Sequence, residues 1–147
     1  MSRMLKLLAV LAFFGIGGCA PAITRQYVAF PDESKEVENM GKARIYVVRS
    51  DSLGGLYSMS VRNDGILIGK TGPKGYLSWE REPGKTTITG QAENTSALEL
   101  DVQKGMAYYV WQEVKMGMIK ARNKLQEVTK ERGKELLKMC NPPQDER

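Results

Sequence analysis

The stretch "LYSMSVRNDGILIGK", Leu56–Lys70, decides the fold. Its first half alternates, with Tyr57, Met59 and Val61 on one side and Ser58, Ser60 and Arg62 on the other. Successive side chains of a strand point to opposite faces, so a period of two marks a strand with one buried face. Asn63-Asp64-Gly65 follows, and Asp-Gly supplies the positive φ angles that a tight hairpin needs. "ILIGK" then returns as the next strand.

Working outward, the same grammar repeats. Upstream, "ARIYVVR" (Ala43–Arg49) is rich in β-branched and aromatic residues and reads as a strand, with "DSLGG" as the loop behind it. Arg44 and Arg49 lie toward its ends and are expected on a solvated or salt-bridged face. Downstream, "TGPKG" is a turn by its Gly and Pro content. "YLSWERE" sets Tyr76, Ser78 and Glu80 opposite Leu77, Trp79 and Arg81, and Pro83-Gly84 ends the run. "KTTITGQAE" is a Thr-rich strand with Gly90 at the place of a bulge. In "SALELDVQ", Leu98, Leu100 and Val102 face inward. "MAYYVWQEVK" (Met106–Lys115) is the densest aromatic strand and is expected to be central; Gly117 separates it from a last strand in "IKARNKLQEV".

The end of the chain changes period. The Thr129 hydroxyl can cap a helix, and Leu136, Leu137 and Cys140 share one helical stripe that can pack on a sheet. Gly133 inside that helix costs up to ~1 kcal/mol relative to Ala. About seven to eight short strands at regular spacing, with no parallel crossover in view, predict an all-β fold: an antiparallel β-sandwich with one short C-terminal helix over an edge or mouth.

The beginning of the chain is of another kind. "LLAVLAFFGIGGCAPA", Leu7–Ala22, is an apolar run preceded by Arg3 and Lys6 and followed by small residues. It falls short of the ~20 apolar residues of a spanning helix, and the order of charge, apolar core and small residues is that of a secretory signal peptide over residues 1–18. Ile16-Gly17-Gly18-Cys19 resembles the lipobox of bacterial lipoproteins. That resemblance implies that the Cys19 thiol receives a diacylglycerol, that cleavage precedes it, and that the mature protein meets a membrane through several acyl chains, enough for firm attachment. Ala20 stands where inner-membrane retention usually uses Asp. The resemblance therefore implies the periplasmic face of an outer membrane, or the outside of a cell with one membrane. Residues 19–41 then read as lipidated cysteine and tether, with Pro21, Pro31 and "PDESKEVEN" suiting an irregular segment on which Tyr27, Val28 and Phe30 can still dock. Residues 42–140 form the sandwich domain with its helix, and residues 141–147 a polar, frayed tail.

Composition narrows the function. The chain of 147 residues carries 22 Lys and Arg against 17 Asp and Glu, a net charge of +5. Arg3 and Lys6 belong to the leader, so the remainder carries +3, 20 basic against 17 acidic. That is too mild to argue for nucleic acid as a partner. There is no histidine, which excludes His-based triads and imidazole zinc sites, and no cofactor is implied. With Cys19 taken by lipid, Cys140 has no partner in its own chain; it reads as a small buried residue of the helix, or as a thiol that pairs with another protein in an oxidising compartment. Asp64, Glu80, Glu82, Glu99 and Asp101 fall on turns or outward faces, which suits general acid work poorly. A non-catalytic module is expected, either docking an envelope protein through a sheet edge or apolar patch, or stacking a small molecule or envelope polysaccharide on Tyr57, Trp79, Tyr109 and Trp111. A concave aromatic groove would mark the second; a flat apolar patch or a bare strand edge would mark the first.

Four pieces taken in order, "ARIYVVR", "VRNDGILIG", "GYLSWEREPGKTTIT" and "KGMAYYVWQE", resemble the family known as domain of unknown function 2846, found mostly in bacterial lipoproteins. The resemblance runs from Lys42 to Gln112, with a weaker continuation to Cys140. It implies an all-β sandwich and brings no catalytic residues. Lys74-Gly75-Tyr76 departs from the Gly-Ser-Tyr that the family often carries there.

Overall fold

The computed structural model describes Gly18 and residues 20–145, so Ile16, Gly17 and Cys19 lie outside the described residues. Ten strands and one helix follow in order: β1 (Arg25–Gln26), β2 (Ala43–Arg49), β3 (Met59–Asn63), β4 (Ile66–Thr71), β5 (Gly75–Arg81), β6 (Gly84–Gln91), β7 (Thr95–Val102), β8 (Ala107–Met116), β9 (Ala121–Val128), α1 (Lys130–Leu137) and β10 (Gln144–Asp145). They form two facing sheets, ordered β10-β1-β4-β3-β6-β7 and β5-β2-β8-β9. The eight longer strands are those the alternation marks; β1 and β10 are two-residue pieces with no period to show.

The expected antiparallel sandwich holds with one correction: β2 and β8 are parallel, with Ile45 opposite Tyr108, and β1 and β10 are parallel as well. The chain leaves the second sheet after β5, builds β6 and β7 in the first, and re-enters beside β2, so the crossover runs through the other sheet rather than through a helix. The β3–β4 hairpin turns at Asp64 and Gly65, with φ of 48° and 83°, as Asp-Gly allows. The register shift lies between Val61 and Arg62 rather than at Gly90. Gly90 pairs regularly with Ser96; a Cβ there would press on the side chain of Asn123.

Alternation places the core. Ile45, Val47, Val61, Ile68, Leu77, Trp79, Ile88, Leu100, Val110 and Leu125 meet between the sheets. Yet all seven residues of β2 are buried, because the sheet's other face is covered too. There Tyr46, Val48, Tyr76 and Tyr109 pack under α1 through Leu136, with Phe30, Trp111, Leu137 and Cys140 at the margin. Thr129 caps α1, its Oγ1 accepting from Arg132 N at 3.3 Å.

Three sequence expectations are corrected here. The segment of residues 22–41 is held more fully than a tether: Val28 and Phe30 dock as expected, Tyr27 is exposed, and Thr24, Gln26, Pro31 and Val37 are buried along the sandwich. It was illegible because its attachment is polar. Gln26 Nε2 donates to Ser78 O at 2.6 Å and Gln26 Oε1 accepts from Ser78 N at 3.0 Å, so a glutamine side chain imitates a strand beside β5. The stretch that begins at Asn141 is likewise held as far as Asp145, by the Gly75 bridge and by β10. Arg44 and Arg49 are wholly buried rather than solvated. Arg44 donates to Ser78 Oγ and to the carbonyls of Asp32 and Lys35, and its guanidinium lies 4.7 Å from the Tyr46 ring centroid. A buried guanidinium held mainly by carbonyls, here with Arg44 Nη2 left unpartnered, shows no charged partner that a sequence displays.

Candidate functional site

One end of the sandwich gathers the loop at 50–58, the turns β4–β5 and β6–β7, and the β8–β9 hairpin. Arg49 organises the first of these. Its Nη1 donates to Tyr57 O at 2.9 Å and Thr71 O at 2.8 Å, and its Nη2 to Leu53 O at 3.1 Å and Gly54 O at 3.0 Å. Burial pushes its pKa down to about 10, against the pull of Asp51. The guanidinium therefore remains charged at neutral pH and ties the loop to β4. So held, the loop displays Leu53, Leu56 and Tyr57 to solvent.

The hairpin is organised from the neighbouring turn. The Glu93 carboxylate accepts the backbone amides of Lys120 at 2.8 Å, Ile119 at 2.8 Å and Met118 at 3.0 Å. These bonds hold its pKa down at about 2. Three amides fixed to one carboxylate leave the tip little freedom, and its side chains point outward. Met116 is 75% exposed, Met118 94% and Ile119 85%. Lys120 Nζ lies 5.8 Å from the centroid of Tyr57, which joins loop to hairpin. Lone exposed apolar residues are ordinary; a contiguous rigid group of them is a mark of an interaction surface.

The start of the folded chain belongs to this end. Ala22 N donates to Gly55 O at 2.7 Å, and Gly72 N to Thr24 Oγ1 at 2.8 Å. Gly18 and Ala20 are exposed just before it.

The four aromatic candidates do not come together. Trp79 is 3% exposed in the inter-sheet core, where its Nε1 donates to Asn63 Oδ1 at 3.0 Å. Tyr109 is buried on the opposite face under α1, stacked on Tyr46, and burial raises its pKa to about 12. Trp111 is half-buried beside it, with the Arg132 guanidinium 5.9 Å from its ring centroid. Tyr57 alone is exposed, at the loop end. The correction follows from alternation, which sorts aromatics by face but cannot say that both faces of a sheet are covered. A cleft of 690 Å³ does open beside Trp79, lined by Val28, Phe30, Asn63, Ile68 and Glu80. Of the four aromatic candidates only Trp79 lines it, with Phe30 as the other ring.

The outer edges of β5 and β9 are occupied in part by side chains. Gln26 occupies the outer edge of β5. On the other side, Asn94 Nδ2 donates to Asn123 O at 2.9 Å, Asn94 Oδ1 accepts from Asn123 N at 2.8 Å, and Ser96 Oγ accepts from Leu125 N at 3.0 Å, which occupies the outer edge of β9. Cys140 is half-buried, its thiol donating weakly to Arg49 O at 3.6 Å, and burial raises its pKa to about 11. Among the described residues no group of three or more Asp, Glu or Cys is placed to hold a metal ion, and no helix is long and apolar enough to cross a membrane. What sequence reasoning missed is the pair Arg49 and Glu93, whose partners are all backbone, together with the exposed "MGMI" between two strands. Four apolar or glycine residues at a hairpin tip were the available signal.

Residues 39–124, more than half of the chain, match the family described as protein of unknown function, DUF2846. No curated protein matches the chain.

Proposed function

The chain belongs to the DUF2846 family, and from that premise we propose that it is the non-catalytic head of a lipid-anchored envelope protein, held by acyl chains on Cys19 and acting as an interaction or structural module at the membrane. One observation supports the reading above others. The residues that follow Cys19 join the sandwich at Gly55, beside the rigid apolar surface of Leu53, Leu56, Met116, Met118 and Ile119. Anchor position and interaction surface thus share an end of the molecule. A partner adding a strand at the edge of β5 or β9 has less support, since side chains already bond Ser78 on the one and Asn123 and Leu125 on the other. Binding of a small molecule or polysaccharide by stacked aromatics has less support still, since Trp79 and Tyr109 are buried on opposite faces.

The test is metabolic labelling with a radioactive fatty acid, read beside the mass of the mature N-terminus. Wild-type chain should carry the label and Cys19→Ser should lose it. An unlabelled wild type whose mature protein shows no acyl mass on Cys19 overturns the reading.

A further inference from the structure

The exposed apolar end needs an occupant, and position selects one. Cys19 precedes Ala22 by three residues, and three residues of fully extended chain span at most ~11 Å. Ala22 is itself bonded to Gly55. At ~3.3 Å per residue, the ten residues of β8 set the far end of the sandwich roughly 30 Å away. Acyl chains on Cys19 therefore bring a bilayer to this end first.

We propose that this end docks on the lipid surface itself, an inference that rests on the anchor reading above. Met116, Met118, Ile119, Leu53 and Leu56 enter the boundary between headgroups and acyl chains, and Tyr57 lies at headgroup level, where an apolar ring with a polar tip is at ease. Lys74, Lys120 and Arg122 are exposed around the same loops and face anionic headgroups. The acidic groups at this end are engaged internally. Glu93 holds the three tip amides, Glu113 is bonded to Lys115 and Gln126, and Asp51 accepts from Val114 N. Glu93 and Arg49 give the docking surface its rigidity, so little conformational freedom is lost on contact.

The experiment uses full-length lipidated protein in vesicles of phosphatidylethanolamine and phosphatidylglycerol that carry a brominated phospholipid as quencher. Ile119→Trp probes the docking end and Met106→Trp, also at an exposed position, probes the far end, with wild type as the background for Trp79 and Trp111. Severalfold stronger quenching of Ile119→Trp than of Met106→Trp is the expected result. Equal or absent quenching, in a sample whose Cys19 carries its acyl mass, overturns docking and leaves the anchor reading standing. Absence of that mass overturns both. Quenching absent in vesicles, with the tip shielded from aqueous probes in native envelopes, makes the occupant a protein and overturns the lipid proposal.

Discussion

Gly133→Ala is the substitution whose sign is set by the packing described above. In a solvated helix interior this change stabilises by ~0.5–1 kcal/mol, because glycine loses the most freedom on folding. Here a Cβ at Gly133 would lie under 3.0 Å from Cβ, Cγ and Cδ1 of Tyr109, all close to the β8 backbone. The ring cannot retreat, because it stacks on Tyr46 with centroids 4.9 Å apart and planes 3° apart. The helix must lift instead, loosening Leu136. Overpacking of this kind costs ~1–3 kcal/mol. Set against the propensity gain, the net change is a destabilisation of up to about 2.5 kcal/mol, or a fall in Tm of up to roughly 10 °C. Thermal unfolding of the full chain followed by circular dichroism reads it. In a Tyr109→Ala background the Cγ and Cδ1 obstructions are gone and only the Cβ contact remains, so the same Gly133→Ala should cost clearly less there than in wild type. A higher Tm for Gly133→Ala in the wild-type background would refute the close approach of helix and sheet.

Two further outcomes follow from the polar contacts. Gln26→Ala strands the amide and carbonyl of Ser78 at a buried edge, so a loss of ~2–4 kcal/mol is expected from urea unfolding, with faster hydrogen exchange at Ser78; an unchanged midpoint refutes the strand mimicry. Glu93 has its folded pKa depressed from 4.5 to about 2, so its stabilisation of the hairpin tip is fully present above pH 4.5 and is lost as pH falls through 2. Amide exchange at Met118, Ile119 and Lys120 should stay slow at pH 4 relative to Glu93→Gln and converge with it near pH 2; convergence already at pH 4 refutes the three-amide cradle.

The fold was legible where burial is one-sided. β3 and β7 face solvent on one side, so Met59, Val61, Leu100 and Val102 announce the core by alternation. Legibility failed where both faces are covered or where attachment is polar. β2 reads like any strand, and nothing in "ARIYVVR" says that its charged ends are buried against carbonyls. Residues 22–41 lack apolar period because Gln26 and Thr24 fasten them through hydrogen bonds, which have no sequence rhythm. Trp79 and Tyr109 were candidates for contact by residue type alone, and type is silent about whether a second layer lies above the ring. Gly133 illustrates the same limit: propensity counts it as a cost, and only the facing Tyr109 turns it into a requirement.

The polar edge closures also bear on how such a head can meet its surroundings. An exposed strand edge invites another chain, and natural sheets blunt it. Here Gln26 lies along β5, while Asn94 and Ser96 reach across from the β7 side to the outer groups of β9. Gln26 and Asn94 each bond one amide and one carbonyl as a neighbouring strand would, and Ser96 accepts one further amide. Another layer covers the outer face of the second sheet, where α1 packs through Leu136. At the end where Ala22 meets Gly55 the loops present Leu53, Leu56, Met118 and Ile119 outward and are held by Arg49 and Glu93. Side chains that merely tolerated solvent would need no such internal fastening. The Arg49 guanidinium is buried at a desolvation cost that its carbonyl partners offset, whereas the exposed Glu93 carboxylate is stabilised by its three amides, and together the two hold the loops of this end in place.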